Sequence, residues 1–511
     1  MVVFFCFAFP LYEGIYQLCP DISKLIKNEL IKIFKKKTIY IALIAVLLLL
    51  IFMNCILKFS GSSSNEIYAY TEEQIGYLKE DLSKLDPKKS SDTSMYIELK
   101  STIDTNELML KYSKDAWQRD IIESNISTYI QQKNTYEYGT DKDSAKVEEL
   151  NEIINNLIAK LDNDDWKYFA NEELDIANKN LQELEEQRVN TSDKQLLKDL
   201  EVQIANAKIE KEVAEYRVNE EIKYGNDYLN KALSRYKNAS QDLIQLEIEN
   251  KDKENMEYIK KQQYNESLEQ KEVNKYILEN KIDVNKNDSL KGILENFYNQ
   301  LGIFMLAVII MVAATIVSEE FNKGTIKLLL VKPYSRTKIL LAKFLTTVIM
   351  TVFIISITIL MQVLIGGILF GFDSLSLPVI EYNFNTNSIQ SMNIFAYLGI
   401  QTLAQLPMII LLATLAFVIS TIFSNSALAI IISLLGYMAN AVINQLAIMY
   451  NLGFMKYFVT MNWDLSQYLF GGLPYMEGMT FIGSILINIV YFLILIIPTI
   501  LIFKKRNIKN I

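Results

Sequence analysis

Six long apolar runs constrain the fold of this chain of 511 residues more than any other feature. A helix of about 20 residues crosses a hydrocarbon core of about 30 Å, so an apolar run of that length predicts a membrane span. The predicted spans cover residues 39–57, 297–317, 339–370, 394–423, 427–449 and 481–503. The sequence therefore predicts an all-α, multi-pass membrane protein with a six-span domain.

Charged residues divide the chain into an acidic segment and a basic remainder. Residues 60–297 hold 33 Lys/Arg and 50 Asp/Glu, a net charge of −17, and the rest holds 18 basic and 9 acidic residues, a net charge of +9. Of those 18, all but Lys58 and Lys456 precede the first span, join the second to the third, or follow the sixth. Cytoplasmic loops are enriched in Lys and Arg. We therefore expect a bacterial cell-membrane protein with both termini in the cytoplasm and residues 59–296 outside the cell.

These boundaries predict five parts: an extension at 1–20, a connecting helix at 21–38, a span at 39–58, an extracellular domain at 59–296, and a transmembrane domain at 297–511. The extension lacks the basic start and the cleavage site of a signal peptide. Upstream sequence read from a misplaced start codon and a genuine interfacial segment both fit it, and N-terminal sequencing would decide between them.

The connecting helix is predicted from apolar residues at helical spacing, among them Leu25, Leu30 and Phe34. Lysines lie elsewhere around the helix. Such a helix is expected to lie in the lipid headgroup plane, with its lysines near anionic lipids. A positively charged flank that only orients the first span is the alternative.

The extracellular segment has the periodicity of paired helices. Val147, Leu150, Ile154, Leu157 and Leu161 form one heptad stripe, and a second stripe begins at Leu197. Between them, residues 189–195 are predicted to be a hairpin tip, where Ser192 and Gln195 have capping-box spacing. We expect an antiparallel helical coiled coil, with an arm of about 70 Å if it has about 45 residues. The segment has no cysteine, so no disulfide framework is predicted for it.

Several kinds of chemistry have no support in the sequence. The chain has no histidine, and no glycine precedes a lysine, so it lacks the GxxxxGK[ST] phosphate-binding loop. We therefore expect no enzyme activity, no cofactor or metal in this chain, and no nucleic-acid partner.

The predicted spans carry no ionisable residue at depth, which argues against ion-coupled transport. Their neutral polar residues are expected to hydrogen-bond between helices: Gln362, Gln401, Gln405, Asn440, Asn444, Gln445 and Asn488.

The segment between the fifth and sixth spans, residues 451–481, is predicted to be an outer interfacial segment. Trp463 and Tyr468 have the amphipathic rings that favour the headgroup level. Gly471, Gly472 and Pro474 interrupt a continuous helix. Short interfacial or re-entrant helices are expected here, and an aromatic anchor with no gating role is the alternative.

One charged stretch, SEEFNKGTIKLLLVKPYSRTKILLAK, separates the second and third spans. It resembles the cytoplasmic loop of ABC-2-type permeases, the membrane subunits of bacterial ATP-binding-cassette exporters. The residues that carry the resemblance are Glu319, Glu320, Gly324, Thr325, Pro333, Ser335, Arg336 and Lys343. The amphipathic helix before the first span and the six-span count also match. The large insert after the first span is a departure from simple family members, and it also occurs in membrane proteins that resemble phage-infection proteins.

The resemblance implies a permease that docks a separate ABC ATPase subunit through a coupling loop at 318–338. The partner would bind ATP and Mg²⁺, and a second permease chain would complete a homo- or heterodimer in the lipid bilayer. Efflux of a peptide, drug or lipid-like molecule is the implied function. The alternative is a membrane-anchored surface receptor or mechanotransmission protein that acts through its extracellular coiled coil.

Overall fold

The computed structural model describes residues 20–60, 72–249, 256–283, 289–326 and 334–506. The chain forms two compact units, one of Met1–Gly61 with Val284–Ile511 and the other of Ser62–Asp283. The predictions for residues 1–19 and for residues 327–333 of the coupling loop, Pro333 among them, lie outside the described residues. The described chain is mostly helical, as predicted.

The first unit contains six helices that are long and apolar enough to cross a membrane, as the sequence predicted. We call them the first to sixth spans: Lys37–Phe59, Phe297–Asn322, Arg336–Phe370, Ile394–Phe423, Ser426–Met449 and Phe481–Lys505. Helices suit a bilayer because every backbone N–H and C=O within them finds a partner in the same segment. The connecting helix, Pro20–Phe34, precedes them. Shorter helices lie at Leu290–Glu295, Asp373–Ser376, Gly453–Tyr457, Val459–Asn462 and Leu465–Gly471.

The second and fourth spans form the centre of this unit. Their most apolar stretches are 72% and 67% buried, whereas those of the first, fifth and sixth spans are 22%, 11% and 17% buried. The apolar surfaces of the outer three spans are therefore free to contact lipid. The third span is intermediate in burial and packs against both the second and the fourth. Its Phe344 contacts Phe417 of the fourth span edge to face, with ring centroids 5.5 Å apart.

A reciprocal amide pair joins the first and third spans. Asn54 Nδ2 donates to Gln362 Oε1 at 3.0 Å, and Gln362 Nε2 donates back to Asn54 Oδ1 at 2.9 Å. Both side chains are fully buried. Each interhelical hydrogen bond of this kind contributes on average about 0.6 kcal/mol in a bilayer. The predicted role of Gln362 between helices is confirmed, and the pair fixes the register of the two spans.

A β-hairpin interrupts the helices, so the all-α prediction was wrong at this point. Val379–Asn383 pairs antiparallel with Ser388–Met392. The first strand contains Val379, Ile380 and Tyr382, which are β-branched or aromatic residues that suit a pleated surface. Asn387 turns the chain with a φ of +48°, a conformation that asparagine tolerates better than most residues. Phe384 N donates to Phe470 O at 2.8 Å, which ties the hairpin to the interfacial segment.

The second unit consists of helices and one π-helical turn within its described residues. The helices are Glu72–Ser83, Thr93–Met109, Gln118–Ile121, Ser127–Tyr138, Ser144–Asp162, Trp166–Asn190, Lys194–Asn219, Tyr228–Glu249 and Tyr258–Asn280, and the π-helical turn is Ile122–Ile126. Two helical hairpins run through it, one built from Trp166–Asn190 with Lys194–Asn219 and the other from Tyr228–Glu249 with Tyr258–Asn280.

Three details of the predicted insert were wrong. The helix after the tip is capped by Asp193, whose Oδ1 accepts from Gln195 N and Leu196 N, and not by Ser192. The stripe at 147–161 lies on a helix that packs against Ser127–Tyr138, so it is no part of the arm. The arm helix Trp166–Asn190 has 25 residues and spans about 38 Å, since each residue rises 1.5 Å.

Candidate functional site

The connecting helix packs its apolar face against the third span. Leu25 is buried, and Leu30 and Phe34 are half-buried against the same core. Phe34 meets Phe353 of the third span edge to face, with ring centroids 5.3 Å apart. Much of the face that was expected to enter lipid is therefore covered by protein. Glu29 lies on this buried face.

Glu29 belongs to an ionic cluster, which we define as Glu29, Lys32, Glu320 and Lys343. Lys343 Nζ lies 2.8 Å from Glu29 Oε2 and 2.9 Å from Glu320 Oε2. Lys32 Nζ lies 2.6 Å from Glu29 Oε1 and 2.8 Å from Glu320 Oε1. Each carboxylate thus bridges both ammonium groups. The cluster joins the connecting helix, the end of the second span and the start of the third.

The burial of these side chains determines how much the ionic cluster contributes to stability. The Lys343 side chain is 1% exposed, Glu29 is 8% exposed and Glu320 is 13% exposed. Lys343 Nζ also donates to Ile316 O at 2.9 Å, so its hydrogen-bonding capacity is used inside the protein. Removing one partner from a buried pair costs about 3–5 kcal/mol, because the remaining charge has lost its water and its partner. The ionic cluster is therefore expected to hold the three helices together.

The environment of Glu29 shifts its titration. Burial alone would raise the pKa of Glu29, but the positive charges of Lys343 and Lys32 and their hydrogen bonds lower it below 4.5. For Lys32, burial opposes the charged form, while hydrogen bonds to Glu29 and Glu320 raise the pKa above 10.5. Both groups are therefore charged near neutral pH.

Further ion pairs involve Glu319, which is next to Glu320 of the ionic cluster in the sequence. Glu319 Oε2 lies 3.0 Å from Lys36 Nζ and 3.1 Å from Lys323 Nζ. Gly324 then takes a φ of +67°, a left-handed conformation that favours glycine, and no atom would lie within 4 Å of an added Cβ. Thr325 follows, with its Oγ1 3.5 Å from Glu320 O. The predicted Gly-Thr pair is therefore the point where the chain leaves the second span.

Two arginines, which we call the arginine pair, connect four spans. Arg336 Nη1 at the start of the third span donates to Arg506 O at 2.8 Å and to Lys504 O at 3.2 Å. Arg506 Nη1 donates to Thr421 O at 2.7 Å, near the end of the fourth span. Its guanidinium also lies 4.5 Å from the ring centroid of Phe321. Cations suit helix C-termini because the last carbonyl groups are unpaired and partly negative.

Ser335 fixes the beginning of the third span. Its Oγ accepts from Lys338 N at 3.3 Å, which caps the helix. Lys338 Nζ lies 3.2 Å from Asp21 in the connecting helix, and both side chains are about half exposed. The described residues of the predicted coupling loop therefore lie in one region, together with the connecting helix.

The interfacial segment contains short helices around a neutral hydrogen-bond network, which we call the asparagine network. Asn462 Nδ2 donates to Lys456 O at 2.8 Å and to Phe458 O at 2.7 Å. Ser484 Oγ donates to Asn462 Oδ1, and Asn488 Nδ2 donates to Asn462 O, both at 2.7 Å. These bonds attach the segment to the sixth span. Asn488 therefore joins two elements, as expected.

The predicted residues of this segment are dispersed through it. Trp463 is buried in the core of the first unit, whereas Tyr468 shares a 2.7 Å hydrogen bond with Ser484. Gly471 takes a φ of +78°, and a Cβ there would lie 2.9 Å from Asn385 N. Gly472 and Pro474 follow as half-buried residues. The glycines are thus required by the backbone where the segment meets the β-hairpin.

We call the ionic cluster and the arginine pair together the charged end of the first unit. Three of its residues were not predicted as site residues from the sequence: Glu29, Lys32 and Arg506. Glu29 had a readable signal, because it continues the apolar stripe formed by Ile22, Ile26 and Ile33 at helical spacing. A carboxylate on such a stripe needs a cation nearby. Arg506 gave no such signal, since its partners come from distant parts of the chain. The described residues contain no group of three or more His, Cys, Asp or Glu side chains that could hold a metal ion.

Six apolar helices joined by buried polar contacts define this chain as a multi-pass membrane protein. A family model described as "Protein of unknown function (DUF2705)" matches residues 258–509. The chain is 33% identical over 215 residues to "Uncharacterized protein YhcI" of Bacillus subtilis (strain 168), which covers 42% of this chain and 67% of the relative. It is 27% identical over 209 residues to "Uncharacterized membrane protein YdbK" of the same organism, over 41% of this chain and 80% of the relative. The chain belongs to the same family as YhcI. No solved structure matches it.

Proposed function

We propose that this chain is the permease subunit of an ABC exporter, driven by a separate ATPase subunit that docks on the charged end of the first unit. The ionic cluster and the arginine pair are the observation that carries the proposal. They bind residues on both sides of the predicted coupling loop to the connecting helix and to the fourth and sixth spans. A push on this region would therefore move several spans together.

The mechanism follows from this connectivity. ATP binding would close the partner ATPase subunits and displace the coupling loop at 318–338. Because the flanking helices are clamped by buried charges, the displacement would be transmitted as rigid-body motion rather than lost in side-chain rearrangement. When the ATPase subunits separate after hydrolysis, the coupling loop and the spans would return to their starting positions. The chain lacks a phosphate-binding loop of its own, which fits a division of labour between two subunits.

The proposed topology places the charged end in the cytoplasm and the second unit outside the cell. The basic residues that flank the spans favour this orientation. The two helical hairpins support the proposed coiled-coil character of the insert, since their paired helices bury stripes that include Leu200, Ile204 and Ala207. A second permease chain would complete the transporter.

The choice of test residue depends on burial. Reversing the charge of Glu320 or Arg336 would break contacts that hold the fold, so a loss of activity there would be ambiguous. Lys323 is 67% exposed and lies at the end of the second span. Lys323→Glu is therefore the informative variant, and Lys456→Glu is the matched control, because it makes the same charge change in the interfacial segment.

The proposal predicts that an ABC ATPase is encoded beside this chain, and the experiment co-expresses the two and measures co-purification and ATP hydrolysis in nanodiscs. We expect a stable complex in which Lys323→Glu lowers coupled hydrolysis at unchanged thermal stability, while Lys456→Glu does not. A chain that transports alone, or that binds no nucleotide-hydrolysing partner, would refute the proposal. Equal effects of the two reversals would remove the coupling loop from the mechanism.

The compactness of the second unit favours one other candidate, a surface receptor or mechanotransmission protein that acts through this unit. Replacing Ser62–Asp283 by a short Gly-Ser linker distinguishes the two candidate functions, because this deletion removes the whole second unit and leaves the first unit intact. Efflux that survives the deletion supports the permease with an accessory insert. Loss of all activity with normal membrane insertion supports the receptor.

A further inference from the structure

A cavity of about 400 Å³ lies among the second, fourth and fifth spans and the interfacial segment. Small-molecule sites are clefts of about 300–1,000 Å³ lined by apolar and aromatic groups with a few polar ones. This cavity has that composition, and the lining residues that bear on its chemistry are Tyr298, Met305, Gln405, Tyr437, Asn440 and Asp464. No residue of the proposed coupling site lines it.

Asp464 belongs to the interfacial segment, where it is half-buried and lines the cavity beside the fourth span. Gln405 Nε2 donates to Asp464 Oδ1 at 3.0 Å. Gln405 is buried within the fourth span, so its contact joins Asp464 to that helix. A carboxylate in a cavity between apolar helices favours a positively charged partner.

The protein itself supplies no cation to Asp464 among its described residues. Lys456 is the sole Lys or Arg between Lys343 and Lys504 in the sequence. Its Nζ lies over the ring of Tyr457 instead, 5.3 Å from the centroid. The contacts of Asp464 Oδ1 are with neutral donors, namely Gln405, Ser466 N at 2.9 Å and Ser466 Oγ at 2.6 Å. The negative charge in this cavity is therefore not neutralised by an ion pair.

We propose that this cavity binds an organic cation that carries an apolar group, with its ammonium beside Asp464. The carboxylate would supply the counter-charge, and the tyrosine rings at 298 and 437 offer the negative faces that attract ammonium groups. Met305 and the neighbouring span residues would surround the apolar part. The claim that this cation is a transported substrate rests on the proposed exporter function. The claim that the cavity binds the cation can be tested on the chain alone.

The probe is phenyltrimethylammonium, and its neutral carbon isostere, tert-butylbenzene, is the matched ligand control. Binding is measured by equilibrium dialysis of radiolabelled probe against the purified full-length chain in maltoside micelles, without any ATPase. We expect saturable binding that the neutral isostere displaces at least about tenfold less well, since one lost ion pair in a cavity corresponds to more than 1.4 kcal/mol. Equal displacement by the isostere would refute the proposal.

Asp464→Asn removes the charge and keeps an oxygen that accepts from Ser466 N. It is expected to weaken probe binding about tenfold or more, whereas Glu477→Gln, which removes an exposed charge from the same segment, should leave binding unchanged. If Asp464→Asn does not fold, two variants of Tyr437 test the same site. Tyr437→Leu removes the aromatic ring and should weaken probe binding, whereas Tyr437→Phe removes only the hydroxyl and should not. Wild-type affinity in Asp464→Asn or in Tyr437→Leu would overturn the site.

The natural cation could be a soluble molecule or a lipid headgroup. Short-chain phosphatidylcholine and phosphatidylglycerol of equal chain length distinguish these sources when each is added to the probe complex. Displacement by the choline lipid alone supports a lipid ammonium group, and displacement by neither supports a soluble cation. Equal displacement by both lipids would show that the cavity selects acyl chains, contrary to the proposal. Because the binding assay contains no ATPase, a negative result in it would not refute the exporter proposal. Likewise, a lack of ATPase coupling would not refute cation binding in the cavity.

Discussion

Two polar regions of the first unit differ in how their buried polar groups are paired. In the ionic cluster two carboxylates and two ammonium groups cancel, and every member contacts members of the opposite sign. In the interfacial segment the asparagine network is neutral, and the nearby carboxylate of Asp464 has no ion pair among the described residues. Complete charge balance suits a structural clamp, whereas an unbalanced charge beside a cavity suits a ligand. The following variants test that contrast.

The largest effect is expected from Lys343→Met. This change leaves Glu29 and Glu320 buried with one cation between them, and it should lower the free energy of unfolding by about 3–5 kcal/mol. Chemical denaturation in maltoside micelles measures this loss. Lys338→Met is the control, because its ion pair with Asp21 is exposed and should be worth less than about 1 kcal/mol. Equal losses in the two variants would mean that the ionic cluster is not a clamp.

A smaller loss is expected from Asn462→Leu. The change removes the amide that satisfies two carbonyl groups and the Ser484 hydroxyl, which should cost about 1–3 kcal/mol. The same denaturation experiment on Gln401→Leu is the control, since the hydrogen bond that Gln401 Nε2 donates to the Tyr397 hydroxyl stays within the fourth span. If the asparagine network were unimportant, both variants would unfold alike.

Gly471→Ala should lower stability by about 1–2 kcal/mol, because alanine resists a positive φ and its Cβ would press on Asn385. Gly399→Ala makes the same chemical change in the fourth span, where nothing lies within 4 Å of an added Cβ. There we expect no loss, because alanine favours a helix more than glycine does. Thermal unfolding of the two variants compares them directly, and a neutral Gly471→Ala would contradict the described turn.

The smallest effect concerns pH and distinguishes the balanced cluster from an unpaired carboxylate. The pKa of Glu29 is lowered in the folded protein by Lys343 and Lys32. Its stabilising contribution is therefore present above pH 4.5 and is lost as the pH falls through the folded pKa. Unfolding measured as a function of pH should show a shallower acid decline in Glu29→Gln than in the wild type. An unchanged decline would exclude Glu29 as a contributor.

The sequence predicted the spans well because membrane helices are determined by length and apolarity, which are local properties. It also located the hairpin turn near Thr191, where a polar stretch separates two helical patterns. The capping residue was harder to choose, because Ser192 and Asp193 both suit an N-cap and only the backbone geometry selects Asp193. The β-hairpin was missed because each of its strands has only five residues, and so short a stretch has no periodicity that distinguishes a strand from a loop.

The candidate sites were only partly predictable. Residues next to one another in the sequence, such as Glu319, Glu320 and Gly324, could be singled out from their pattern. Their partners could not, since Glu29 lies 314 residues before Lys343 and Asp464 lies 59 residues after Gln405. A stripe or a lone charge shows which side chain needs a partner. The identity of that partner depends on tertiary packing.

The position of Arg506 has a practical consequence for protein engineering. Its guanidinium contacts Thr421 and Phe321, and its backbone oxygen accepts from Arg336, so it contacts the second, third and fourth spans. A truncation that removes Arg506 would therefore loosen helices in the middle of the chain. Affinity tags should leave Arg506 and its contacts intact, and a truncation series that passes this residue would report on stability long before it reported on transport.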